Sequence, residues 1–410
     1  MKALIESLGF KERARKHQKY FTRERKMGFK TLIYFMLTLI RSSTQNALER
    51  YFADSVDDEC ISQQAFSEAR QKIKWEAFQE MFHFTVNAWY ENKEVKRWNG
   101  CRVSAIDGSV LQLPNDKELL NYFGGIGCNN TSPAARGSLL YDILNDCVMD
   151  ARIDQFKMGE PTQADEHIKH LEGLASFEEW KELILFDRGY PSRKLIQELT
   201  EKKIYYVMRV RRKFAKKVDA LPLGDHCIDL TYKKTQLKVR VIKFILPGGE
   251  EETLLTNLFD SSLSIEDFSV LYFKRWPIET KYNILKQKLE IENFSGRLVD
   301  NIRQDFFIAM TLTNIAADFY GEAQAEVETE QEGKENKYQY AVNVNHAIGV
   351  LKDRLVKAML EDNDIKRGKL FYDVIRRLKK RLSPIRPKRS VKRIRFPRKA
   401  KFHHNHKSNC

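Results

Sequence analysis

The residues of this sequence best suited to chemistry are three acids and the charged stretch around the last of them. Asp107 closes the short β-branched run CRVSAID, Asp187 closes the apolar run LILFD, and Glu279 lies within YFKRWPIETKYNILK, Tyr272 to Lys286. An aspartate between an apolar strand and a glycine is usually a turn former. Three carboxylates carried by two strand ends and a helix have a second use. They could converge on two divalent cations that clamp the attacking and leaving oxygens of an in-line phosphoryl displacement. Mg²⁺, or Mn²⁺ in its place, suits such a set because it takes oxygen ligands and keeps waters. Without cations, gathering three acids would be costly through like-charge repulsion.

The stretch around Glu279 has the charge density of a solvated helix, yet Phe273, Trp276, Ile278 and Leu285 are interleaved with the charges. At about 100° per residue, with Tyr272 at zero, Arg275 falls near ~300°, Glu279 near ~340° and Lys286 near ~320°. These four polar groups then share a stripe roughly 60° wide. An exposed face of i,i+4 ion pairs is the simpler reading of the same pattern. Pro277 interrupts the helix, so the expectation is one helix capped at Ser264 and ending near Trp276, with Pro277 at the first position of the next. The apolar residues are expected to pack this segment onto a core.

The elements that would position these groups follow from periodicity. Residues 1–95 read as helices, among them FKTLIYFMLTLIRSSTQNALERYFAD and SQQAFSEARQKIKWEAFQEMFHFTVNAWY. Gln63, Gln64, Ser67 and Arg70 sit on a short helix after a polar turn. That pair is either a helix-turn-helix reading a DNA groove or a small bundle with a polar outer face. From Trp98 the pattern changes to strands and helices in alternation: CRVSAID, two strands in SLLYDILNDCVMDARID, a helix in DEHIKHLEGLASFEEWKE, the strand LILFD, and a helix in PSRKLIQELTEKK. This is an α/β sheet with Asp107 and Asp187 at the carboxyl ends of strands, where ligands of such sheets bind. Residues 204–258 hold mostly β-type runs, IYYVMRV, CIDLTY, LKVRVIKFIL and TLLTNL, which read as a β-rich insertion centred on about 210–252. The chain is then helical, broken by GEAQAEVETEQEGKENK, an acidic stretch expected to be a mobile loop. GGIG at 124–127 lacks the Lys-Ser/Thr of a phosphate loop and reads as a flexible turn.

Composition bounds the partners. The 410 residues carry 71 Lys and Arg against 56 Asp and Glu, a formal net charge of +15. The excess is concentrated in RRLKKRLSPIRPKRSVKRIRFPRKAKFHHNHKSNC, residues 376–410, which contains no acid. A basic, proline-bearing tail of this kind seeks a polyanion, with nucleic acid foremost and a membrane surface or plain solubility as alternatives. HHNHKSNC could ligate a metal, but reads more simply as a solvated end. Cys60, Cys101, Cys128, Cys147, Cys227 and Cys410 form no C-x-x-C pair, which suits a reducing cytosol and argues against a structural zinc site. The apolar stretches are too short for a membrane span, and the first residues lack the apolar region of a signal peptide. A cytoplasmic, nucleoid-associated protein with no membrane partner is expected.

AIDGS, LFDRGY and the spacing Tyr272-x2-Arg275-x3-Glu279-x6-Lys286 resemble the Asp-Asp-Glu (DDE) transposases of bacterial insertion sequences. More narrowly they resemble the insertion-sequence-four family, in its Tyr-Arg-Glu-Lys branch. The resemblance extends through FTRERKMGFKTLIYFML, AFSEARQKI, YYVMRV, LLTNL and NFSGRLVDNIRQDFFIAMTLTN. It implies a ribonuclease H-like core over 96–320 with the β-rich insertion, following a helical DNA-end-binding domain over 1–95. An acidic loop and C-terminal helices over 321–375 and the basic tail over 376–410 complete the chain. Asp107, Asp187 and Glu279 are then implied as metal ligands, and Tyr272, Arg275 and Lys286 as contacts to the DNA backbone near the cleaved end. Arg209 in YYVMRV matches a further DNA-contacting position, and Gln64 and Arg70 would read the transposon end. The implied reaction cuts double-stranded DNA at terminal inverted repeats and joins the 3′ ends to target DNA, using two metal ions, no nucleotide cofactor, and a dimer assembled on the ends. The alternatives are a metal-dependent endonuclease without strand transfer and a silent DNA-binding protein. Some relatives stack a flipped base on a tryptophan of the insertion, yet 204–258 contains none, leaving Phe244 or Tyr232 to stack and the hairpin route open.

Overall fold

A computed structural model describes residues 1–385 apart from 24, 39–42, 54–60, 128–130, 175–179 and 335–336, with 352 and 353 described as backbone only. Most of the basic tail, including HHNHKSNC, therefore lies outside the described residues. By compactness the chain divides into two units, one of residues 1–85, 112–134 and 284–410, the other of 86–111 and 135–283. This division differs from the four consecutive segments expected from sequence, because the first 85 residues group with the C-terminal third.

The second unit is built on a mixed sheet. Its strands are β1 (Cys101–Gln112), β3 (Ser132–Asp142), β4 (Cys147–Gln155), β5 (Lys181–Phe186), β6 (Tyr205–Arg209), β7 (Gly224–Tyr232), β8 (Thr235–Ile245) and β9 (Glu251–Thr256), while the two-residue β2 (Gly125–Ile126) pairs with the start of β3 in the first unit. The order runs β3-β1-β5-β6-β9-β8-β7, with β4 on β3. β1, β5 and β6 are parallel neighbours, and β6-β9-β8-β7 continue antiparallel. The parallel centre is buried along almost its whole length, as ELILF in β5 shows, because helices cover both faces of such sheets. Helices Glu160–Glu172 and Arg193–Glu201 pack their apolar faces, Ile168, Leu171, Leu195, Ile196 and Leu199, into one core with Ile106, Ile184, Phe186 and Met208. The register of β1 on β5 carries a buried ion pair: Arg102 sits opposite Glu182 and donates to it at 3.1 and 2.5 Å, under Tyr90 and Trp180.

Two sequence expectations change here. β1 does not stop at Asp107 but runs on to Gln112, so Asp107 lies within a strand and two positions beyond the last residue paired with β5, Ala105. Pairing with β3 overrides the local turn preference of Asp-Gly. The helix expected over 165–182 is described to Glu172, residues 175–179 lie outside the described residues, and Lys181 and Glu182 already belong to β5. The strands expected over 204–258 are all present as β6 to β9.

The first unit is helical. Phe10, Phe29, Phe35, Phe66, Phe78, Phe82 and Phe306 are among its buried side chains. Its spine is the helix Val299–Gln331, which continues through residues 321–331 of the acidic stretch 321–337 expected to be a loop. Charges that would discourage packing there are matched: Gln324 donates to Glu328, and Lys379 pairs with Glu326 and Glu330. Helices Val344–Leu360 and Asp364–Leu378 follow, the latter carrying Arg376 and Arg377 in its last turn, both paired with Asp373. No described helix is long and apolar enough to cross a membrane.

Candidate active site

Two acids from distant parts of the sequence, Asp187 and Glu279, line one cleft of the second unit, and Asp107 interacts electrostatically with both. Asp187 follows β5 directly, where the strand's last residue, Phe186, is still fully buried. Its Oδ1 accepts from the Gly189 amide at 2.7 Å, which fixes the carboxylate over its own turn. Asp107 accepts from the Gly108 amide at 3.0 Å, and its backbone carbonyl accepts from the Tyr282 hydroxyl at 2.9 Å and the Ser138 hydroxyl at 3.3 Å. Burial lifts the Asp107 carboxyl to about 7; Arg275 and the Gly108 amide pull it down, while Asp187 and Glu279 push it further up. The three acids thus interact electrostatically. A carboxyl raised this far by burial and like charge is what an uncompensated acid cluster produces.

The signature segment folds as its proline requires. A helix over Ile265–Phe273 starts on a capping box between Ser264 and Asp267, and Lys274 to Trp276 form a turn. Pro277 then opens the helix Pro277–Gln287, where its missing N–H costs nothing. Arg275 therefore sits in the turn rather than on a continuous helical stripe, but its guanidinium reaches Glu279 Oε1 at 2.6 Å and lies 5.9 Å from the Tyr272 ring. Tyr272 donates to the carbonyl of Phe186 at 3.3 Å, and burial pushes its phenol up to about 12. Of the four apolar residues expected to pack inward, Ile278 and Leu285 do so. Phe273 and Trp276 do not: they are 77% and 49% exposed and line the cleft instead.

That cleft, of about 340 Å³, is lined by Asp187, Arg188, Arg209, Glu252, Tyr272, Arg275 and Glu279 together with Leu246, Phe273 and Trp276. Arg209, at the end of β6, forms an ion pair with Glu252 of β9. Lys286 lies in the last turn of the Pro277–Gln287 helix, 3.6 Å from Glu292. A fourth acid, Glu160, is one that sequence reading does not single out. A Cβ placed on Gly189 would lie 3.1 Å from Asp187 Oδ1 and 3.1 Å from Glu160 Oε2, and one on Gly108 would meet the Glu160 side chain at 3.3 Å. The glycines one position after Asp107 and two after Asp187 leave room for this carboxylate, a relation that only the fold reveals.

The two residues expected to read bases differ in placement. Gln64 is exposed on the helix Gln63–Arg70 and donates to Glu68 at 3.1 Å. Arg70 is 1% exposed and cannot reach a groove. It donates to Asp305 at 2.7 Å, Gln304 at 2.6 Å, Ser295 at 2.6 Å and the Asn301 carbonyl at 2.7 Å, a network that ties its helix to the long helix of the first unit. The preceding helix is Thr44–Phe52, and residues 54–60 between it and Gln63 lie outside the described residues.

The family model for the transposase DDE domain matches residues 98–315, just over half of the chain and the stretch that carries all three acids. The chain belongs to the DDE transposases. As a member of that family it is an enzyme that acts on DNA. Among solved structures it is similar to the piggyBac transposase in a synaptic complex with hairpin DNA, at 11% identity and a TM-score of 0.48, over 89% of this chain and 80% of that one. No curated protein sequence matches it.

Proposed function

We propose that this DDE transposase belongs to the insertion-sequence-four family, in its Tyr-Arg-Glu-Lys branch, and moves a DNA element. It would do so by cutting at terminal inverted repeats and joining the 3′ ends to target DNA. The observation that carries the reading is the electrostatic meeting of Asp107, Asp187 and Glu279 around Arg275, just beyond the parallel pairing of β1 and β5 in the mixed sheet. The donor set fits hard divalent cations: all its charged ligands are carboxylate oxygens, and the nearby Tyr190 hydroxyl is buried without a hydrogen-bond partner. Asp107, Asp187 and Glu279 would hold two ions, Mg²⁺ or Mn²⁺, which when bound would activate the attacking oxygen and neutralise charge on the phosphate.

The chain's own residues supply the rest. Arg275 is the counter-charge of Glu279 in this structure, and its planar fork can transfer to a phosphate once Glu279 takes another cationic partner. Tyr272 contributes a hydroxyl fixed on Phe186, and Arg209 and Lys286 contribute positive charge toward the backbone of the DNA end. Gln64, exposed on its helix, would meet a base edge, and Phe244 or Tyr232 would stack a base. Double-stranded DNA is the substrate, with two chains assembled on paired ends. Incubating the protein and Mg²⁺ with a duplex ending in a pre-cleaved terminal-repeat 3′ end should give strand joining to target DNA, and Glu279→Gln should lower it by several orders of magnitude. Cleavage without joining would assign an endonuclease instead, and normal joining by folded Glu279→Gln would remove Glu279 from the chemistry.

A further inference from the structure

Beside the acids lies a group that the three-carboxylate reading leaves unexplained. The Tyr190 ring packs in the sheet core, 5.7 Å from Phe186, and the residue is 1% exposed, yet its hydroxyl has no hydrogen-bond partner. Its surroundings are anionic: Asp107, Glu160 and Asp187 all act on the phenol, with Arg136 opposing them. A buried hydroxyl among carboxylates that bonds none of them is a costly arrangement unless something else fills the gap.

Glu160 stands beside that gap. It is the first residue of its helix, so its carboxylate is placed at a helix N-terminus, and Arg136 holds one oxygen, Oε1, at 3.2 Å. The other oxygen, Oε2, faces the point beside Gly189 that Asp187 Oδ1 also approaches, each at 3.1 Å. The two carboxylate oxygens are thus no further apart than twice that distance. Side chains at positions 108 or 189 would displace Glu160 from this place, and glycine occupies both.

We propose that Glu160 is a fourth carboxylate of the acid site, and that its Oε2 and the Tyr190 hydroxyl together hold ordered water beside the cation carried by Asp107 and Asp187. A water there has the right valences: it donates to Glu160 and accepts from Tyr190, keeping a lone pair for the cation. This rests on the reading of Asp107 and Asp187 as cation ligands. Residues of this kind fix the hydration and geometry of the ion rather than bind it, and losing one lowers metal affinity by roughly 10–100-fold.

The test is Mn²⁺ binding to the full chain, with free Mn²⁺ followed by electron paramagnetic resonance, and thermal unfolding with and without Mn²⁺. Four proteins are compared: wild type, Glu160→Gln, Tyr190→Phe and Asp187→Asn. Glu160→Gln should weaken Mn²⁺ binding about tenfold or more. Tyr190→Phe removes only the unpaired hydroxyl, so the metal-free variant should unfold no lower than wild type, yet gain less from Mn²⁺ and bind it several-fold more weakly. A hydroxyl with a purely structural role would not separate those two measurements. Wild-type Mn²⁺ affinity in Glu160→Gln and Tyr190→Phe, with binding lost in Asp187→Asn, would overturn this inference and leave the acid-site reading standing. Wild-type affinity in Asp187→Asn as well would overturn both.

Discussion

Arg275 and Glu279 form what would pass on a free helix for an ordinary i,i+4 ion pair, a contact worth little when exposed. Their setting gives it another meaning. Arg275 also acts on Asp107, so one guanidinium offsets the charge of an acid cluster that would otherwise repel itself. Arg275→Ala should therefore weaken binding to a transposon-end duplex about 10–100-fold, the range for losing a hydrogen bond to a charged group. It should lower the cleavage rate as well, because Asp107 loses its main pull toward the ionised form. Fluorescence anisotropy on a labelled end duplex at fixed salt measures the first effect, and unchanged affinity would leave Arg275 only as a partner of Glu279. That Tyr272, Arg275 and Glu279 share one cleft was approachable from sequence because they are close along the chain in a regular spacing. Glu160 and Tyr190 were not, since their relation to Asp107 and Asp187 exists only through the fold that brings residue 160 beside residues 108 and 189. The inward packing expected of Phe273 and Trp276 failed for a related reason: helical periodicity assigns them a face, but the turn at 274–276 swings them into the cleft.

At the scale of elements, the strands of the sheet were readable from β-branched runs, whereas their ends were not. Asp-Gly at 107–108 has the chemistry of a turn, and only a neighbouring strand can hold it extended to Gln112. The acidic run after residue 320 has the composition of a loop, and only Lys379, far along the chain, pairs with its Glu326 and Glu330 as the helix continues to Gln331. Arg70 is the clearest case. On its own helix it looks like a polar reader beside Gln64, but Asp305, Gln304 and Ser295 bury it. Removing one partner of a buried pair leaves an uncompensated charge, so Arg70→Met should cost about 3–5 kcal/mol of stability. Arg70→Met combined with Asp305→Leu should recover much of that loss, because the orphaned acid is gone. Chemical denaturation of the three proteins checks this. A variant of wild-type stability that lost only its preference for the transposon end would return Arg70 to the DNA.

For the whole molecule the decisive quantity is where the positive charge lies. Of the fifteen basic residues from Arg376 onward, Arg376, Arg377 and Lys379 are engaged with Asp373, Glu326 and Glu330. Three of the five basic residues over 376–385 are therefore already partnered by carboxylates. Ten Lys and Arg and no acid remain over 386–410, while the rest of the chain is close to balance. If that segment neutralises phosphates, its contribution is independent of sequence and depends on release of counterions. Deleting 386–410 should lower affinity for transposon-end and random duplexes by similar factors. The slope of log affinity against log salt should flatten by roughly 0.9 for each phosphate that the shortened chain leaves unneutralised. Discrimination between the two duplexes, which rests on base recognition elsewhere, should persist. Filter binding of both duplexes across a salt series measures all three quantities. An unchanged slope would mean that the tail meets no DNA, and a loss confined to the transposon end would make it a sequence reader rather than a polycation.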